Sequence, residues 1–183
     1  MGRDRPDMES QVAITKEIVE WINENRWSQT LTICTEGSLF IGDVRWETQI
    51  DVVDILVREE SPNPHVALLI EVEPICNPKK VLGQCVAAVL ADQHTPPRQK
   101  RRYPIQDTVY IWVGVVSKTK STKETRKRMK LELVEKTIRE KIDLARNGLR
   151  AVEFCVGGSD AESIEQCKRA IQQYWPAGNN PKP

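Results

Sequence analysis

Apolar residues recur every four positions at Ile14, Ile18 and Ile22, with Val19 beside them. That spacing predicts a helix over about Glu9–Arg26. Leu31 and Ile33 alternate with Thr30 and Thr32, a short strand signal. Two β-rich runs follow, Thr48–Arg58 and His65–Glu73, separated by the polar turn sequence EESPNP, and together they predict a β-hairpin. Val66–Ile70 is continuously apolar, as expected of a strand buried on both faces. After Pro74 and Pro78 the period lengthens. Val81, Cys85 and Val89 form one i, i+4 series and Leu82, Val86 and Leu90 another, predicting a helix over about Lys79–Ala91. Asp92–Asp107 holds three prolines and four basic residues and reads as a loop. Val109, Ile111, Val113 and Val115 then alternate as a strand.

The next helix opens at Ser121 with Glu124 at capping-box spacing, and Leu131, Val134, Ile138 and Ile142 form its apolar stripe, with Gly148 as the expected C-cap. Ala151–Val156 is a last strand, and Ser159 with Glu162 opens a last helix striped by Ile164, Cys167, Ile171 and Tyr174. The predicted order is α-β-β-β-α-β-α-β-α. Antiparallel strands come first and βα units later, so the class is α/β with a mixed sheet flanked by helices. One domain spans 1–183, with Met1–Asp7 and Pro176–Pro183 expected as tails.

Composition narrows the partners. Apolar residues are 39% and charged residues 29%, an ordinary folded-domain balance. No run of eighteen apolar residues occurs and the chain opens MGRDRPDMES, so neither a membrane span nor a cleavable leader is expected. Five cysteines without a CxxC pair fit reduced thiols and a cytoplasmic location. Two histidines are too few for a multi-histidine zinc enzyme. The net charge of +1 hides a segregated field. Lys79–Lys130 contains thirteen basic residues against three acids, a net +10, which leaves −9 for the rest. Such a segment attracts a polyanion.

The chemistry concentrates in IDVVDILVREESPNPHVALLIEVEP. One strand carries Asp51 and Asp54, the other Glu71 and Glu73. Side chains alternate along a strand, so Glu71 and Glu73 share a face, and the hairpin sets one of the two aspartates beside them. Clustered carboxylates on a sheet repel one another and lose hydration, so they call for a cation. Mg²⁺ or Mn²⁺ suits oxygen ligands and could activate water against a phosphodiester. The plainer alternative is a set of strand-end charges in solvent, with Asp54 on the face opposite Asp51. No phosphate-binding glycine loop and no G-x-S-x-G elbow occur, Cys76 has no histidine partner in sequence, and His94 reads as a surface residue. Trp46 precedes the Asp51 strand and reads as sheet packing, with base stacking as the alternative.

The helix, the hairpin bearing an Asp and a Glu-x-Glu, and the helix and strand after it resemble the PD-(D/E)XK nuclease superfamily over roughly Glu9–Ser117. The resemblance implies a restriction endonuclease-like core and a Mg²⁺-dependent hydrolase that binds and cleaves DNA. Asp51 takes the first acidic position and Glu71 the second. Glu73 stands where the family usually has lysine. Either it shares in handling metal or water, or Lys80 (Lys79 being the weaker choice) supplies the cation from the following helix, or the site is inert and the fold serves binding. Gln84, four residues after Lys80, matches a glutamine that family members often carry. Glu17, then Glu20, would match a first-helix glutamate. Beside the resemblance, the +10 charge field makes Arg98, Lys100, Arg101, Arg102, Lys123 and Lys127 the expected phosphate contacts. The resemblance leaves a homodimer, and a protein-binding scaffold, as open alternatives.

Overall fold

A computed structural model describes residues 6–41, 48–74, 77–91, 93–94, 103–116 and 121–176. The elements are α1 (Pro6–Glu24), β1 (Leu31–Ile41), β2 (Thr48–Glu59), β3 (His65–Glu73), α2 (Pro78–Leu90), β4 (Gln93–His94), β5 (Tyr103–Val115), α3 (Thr122–Lys141), a 3₁₀ turn at Ala145–Asn147, β6 (Leu149–Gly157) and α4 (Asp160–Tyr174). Five long strands pair in the order β1-β2-β3-β5-β6. The β1–β2–β3 meander is antiparallel, whereas β3–β5 and β5–β6 are parallel, so the sheet is mixed. Two-residue β4 bridges Phe40 of β1 to Tyr103 and Pro104 of β5.

Each face of the sheet has its own core. On one side Ile14, Ile18 and Ile22 of α1 and Ile164, Cys167 and Ile171 of α4 pack on Ile55, Leu68, Ile70, Ile111 and Val113. On the other, Val81 and Cys85 of α2 and Leu131 and Ile138 of α3 pack on Leu56, Leu69, Tyr110 and Trp112. The α1 series and the Val81–Cys85–Val89 series of α2 are buried, whereas the second predicted α2 series, Leu82, Val86 and Leu90, faces outward and is exposed, because one helix side alone meets the sheet. β3 and β5 feed alternate side chains into both cores. α1 and α4 run parallel: Ser10 bonds Asp160 at 2.6 Å, Glu17 meets Lys168 at 3.0 Å, and Trp27 stacks on Trp175 with centroids 4.4 Å apart.

The predicted starts of the later helices are borne out. Ser121 caps α3 and Ser159 caps α4, each side chain accepting the backbone N–H three residues on. Other boundaries move. β1 runs on to Ile41, past the short signal at Leu31 and Ile33; the later half is hidden in the sequence because Glu36 adopts a left-handed φ of 55° and disrupts the alternation. Next to it, Gly37 lies so close to Leu56 that a Cβ would fall 2.6 Å from the leucine Cβ, which forbids any larger residue. Within the stretch read as a loop, Gln93–His94 and Tyr103–Asp107 are strand. β5 carries a bulge there, with Asp107 at φ 55°, so its alternation becomes regular only from Val109. α3 ends at Lys141, and Gly148, at φ 75°, caps the 3₁₀ turn instead of that helix. α1 begins at Pro6, inside the segment read as a tail.

Candidate active site

β2 and β3 pair from Glu59↔His65 to Ile55↔Ile70. Beyond that point they part. β2 continues against β1 as far as Thr48, and β3 continues against β5 as far as Glu73. The split opens where Asp54 and Glu71 would have been the next pair. Asp54 takes over the role of the missing ladder: its Oδ2 accepts the Val72 N–H at 2.7 Å, and its Oδ1 accepts Gln11 Nε2 at 2.7 Å. Asp54 is thus held in the split and not on a remote face.

Glu71 is 6% exposed. Its Oε1 accepts the Gln84 amide from α2, and its buried Oε2 has no hydrogen-bond partner among the described residues. Glu73 lies two residues on along the same face and pairs with Lys80, the second ion-forming side chain of α2. Asparagine 77 fixes where that helix starts, since Asn77 Oδ1 accepts the Lys79 N–H at 3.1 Å. With Pro78 at the first turn, Lys80 and Gln84 fall one turn apart and both reach β3. Asp51 lies farther along β2, where its Oδ1 accepts the Val52 N–H at 2.9 Å.

The electrostatics show strain between like charges. Burial above all, with the charges of Asp54, Asp51 and Glu73 and against the opposing charge of Lys80, pushes the Glu71 carboxyl up to about 9. The Asp54 carboxyl is also raised, chiefly by burial, against the lowering effect of its bonds to Val72 and Gln11. Burial lowers the Lys80 ammonium, but its bond to Glu73 and the charges of Glu73, Glu71 and Asp54 outweigh that and raise it. Behind Glu71, burial drives the Cys85 thiol up to about 12 and raises the fully buried Tyr110 phenol. The thiol is therefore protonated and unreactive at neutral pH.

The site thus unites Asp51, Asp54, Glu71, Glu73, Lys80 and Gln84, drawn from β2, β3 and α2. Among the described residues, however, no three acidic, histidine or cysteine side chains already stand as a metal cage. Lys80 and Gln84 hold the glutamates in their place. The other first-helix candidates lie elsewhere. Glu17 pairs with Lys168 and Glu20 with Lys16, while Gln11, which sequence reasoning missed, is the α1 residue that enters the split. Among the basic residues, Lys123 is exposed on the first turn of α3 and Lys127 pairs with Glu124 at 3.0 Å. Arg98, Lys100, Arg101, Arg102, Trp46 and Cys76 lie outside the described residues, as does the side chain of His94. His65 is at the opposite end of β3, its Nδ1 2.8 Å from the Asn63 carbonyl oxygen. A groove of about 250 Å³ between α3, β6 and α4, bounded by Arg128, Glu132 and Phe154, contains none of the clustered acids.

No family model, curated protein or solved structure matches the chain. Among the described residues, no helix is long and apolar enough to cross a membrane.

Proposed function

We propose that this chain is a metal-dependent nuclease of the PD-(D/E)XK kind, with a restriction endonuclease-like core, that hydrolyses DNA phosphodiester bonds. The observation behind this reading is the buried Oε2 of Glu71, without a hydrogen-bond partner among the described residues, placed where two strands part and three further carboxyls crowd in. Such an arrangement is costly without a cation and becomes favourable with one. Glu71, Glu73 and either Asp51 or Asp54 would hold Mg²⁺ or Mn²⁺. When bound, the ion would supply a water of lowered pKa and neutralise charge on the phosphodiester.

The chain's own groups have separable tasks. Asp54, fixed by Val72 and Gln11, sets the wall of the split. Gln84 orients Glu71. Lys80 neutralises Glu73 in the resting site, and once released its ammonium can offset charge developing on the phosphate. Thus Lys80 takes the part that a lysine at position 73 would play. Arg98, Lys100, Arg101, Arg102 and Lys123 would contact backbone phosphates and position DNA without reading sequence. Lys127, already paired, would contribute less.

One observation favours a second reading. Lys80 and Gln84 already occupy the glutamates, as they would in an inert domain of the same fold kept for binding nucleic acid or protein. Incubation with duplex, branched and single-stranded DNA in Mg²⁺ or Mn²⁺, with a chelator control, separates the two. The nuclease reading expects metal-dependent cleavage, and a loss in Glu71→Gln exceeding the roughly 10–100-fold typical of an outer-sphere substitution. Salt-sensitive DNA binding without cleavage on any substrate would establish the inert reading. Converting Lys100, Arg101 and Arg102 to alanine should reduce the salt slope of binding by up to about three.

A further inference from the structure

Trp112 lies directly across from Glu71 in the parallel β3–β5 register and is fully buried. Its ring lies over Gly114, where a Cβ would come within 2.1 Å of the indole. Only glycine at 114 allows that ring position. The indole Nε1 then approaches Gln84 Oε1 at 3.4 Å, a long hydrogen bond. Gln84 in turn donates through Nε2 to Glu71 Oε1. A side-chain amide has one acceptor oxygen and one donor nitrogen. An indole N–H can only donate, so it selects the amide orientation with oxygen toward Trp112 and nitrogen toward Glu71.

We propose that Trp112 is a positioning residue for the carboxylate site: through Gln84 it commits Glu71 Oε1 and leaves Oε2 as the oxygen available to a divalent cation. This rests on the metal reading given above. Gly114, Trp112, Gln84 and Glu71 form one chain of contacts from β5 through α2 to β3. It is assembled from three elements that meet only in the folded protein. Outer-sphere partners of this kind set the orientation of a ligand and are felt in metal affinity.

The test compares full-length wild type, Trp112→Phe, Gln84→Met and the double variant by calorimetric titration with Mn²⁺. Phenylalanine keeps the ring and removes the N–H, and methionine keeps the bulk and removes the amide. Each single variant should bind Mn²⁺ about tenfold more weakly, within the range for outer-sphere losses. The double variant should be no weaker than Gln84→Met alone, because the two act in series. Wild-type affinity in a folded Trp112→Phe would overturn the proposal and leave Trp112 as packing. A separate readout covers poor folding of that variant and does not require metal. Of the five indole N–H resonances, that of Trp112 should move most in Gln84→Met and should also move in Glu71→Gln. An indole resonance indifferent to both would overturn the relay. If wild type binds no Mn²⁺ while the resonance responds, the metal reading fails and the relay stands as a structural contact only.

Discussion

The two faces of the sheet are built from the same strands and have opposite characters. Toward α1 and α4, β3 presents Leu68, Ile70 and Val72, and β5 presents Val109, Ile111 and Val113. Toward α2 and α3, alternate positions of those strands bring Glu71, Tyr110 and Trp112, and α2 adds Gln84 and Cys85. One face is nearly pure hydrocarbon and the other has polar groups threaded through its core. The difference teaches how a fold carries a destabilising site: the aliphatic face supplies stability while the polar face accepts buried, like-charged carboxyls.

Substitutions can break this contrast. The largest effect is expected on the aliphatic face. Ile111→Ala removes a fully buried side chain in the central strand and should destabilise by about 3–5 kcal/mol, measured by denaturant unfolding, with metal affinity per folded molecule unchanged. On the polar face the sign should reverse. Glu71→Gln keeps the shape and removes the charge, and should stabilise the metal-free protein by about 2–3 kcal/mol at pH 7. The carboxyl is raised on folding from 4.5 to about 9. Between those values the folded state binds more protons than the unfolded, so wild-type stability falls as pH rises across the window. The advantage of Glu71→Gln should therefore vanish near pH 4, grow through pH 7 and level off above pH 9. A pH-independent difference would contradict the buried-carboxyl account. The smallest effect is expected at the seam between the faces. Gln11→Leu leaves Asp54 bonded to Val72 alone and should cost about 1 kcal/mol, with a modest loss of metal affinity.

Much of this contrast was legible in the chain. The Ile14–Ile22 series of α1, the Val81–Val89 series of α2 and the alternation of Val109–Val113 identify buried stripes, because periodicity reports which side of an element meets the core, but spacing alone did not separate Val81–Val89 from the exposed Leu82, Val86 and Leu90. Glu71 and Glu73 sharing a face follows from strand geometry alone, and Gln84 and Lys80 one turn apart from helix geometry. What stayed hidden depends on long-range contact. Nothing local marks Gln11, because its partner Asp54 is 43 residues away. Between Asp51 and Asp54, choosing the residue that replaces a ladder bond requires knowing where β2 and β3 part. Tyr103–Asp107 was masked by Pro104 and by a bulge at Asp107, yet Tyr103 is anchored by Glu60 at 2.7 Å and by Arg58 stacked 4.5 Å above its ring. Nothing in the sequence singles out Trp112, since its polar edge matters only once α2 lies against it.

The parallel packing of α1 beside α4 bears on the order in which the protein is made. α1 is synthesised before the strands it covers, with Ile14, Ile18 and Ile22 ready to be covered, but its neighbour α4 is the last of the described elements. β5, the strand central to that face, begins at Tyr103, long after Ile14 has been made, and α4 follows later still, from Asp160. The aliphatic face therefore closes only once α4 has been made, although the β2–β3 hairpin that bears the carboxyls is local and complete far earlier. A nascent chain halted before Asp160 should expose the α1 stripe and be bound by chaperones, whereas one that includes Trp175 should be released in a protease-resistant form.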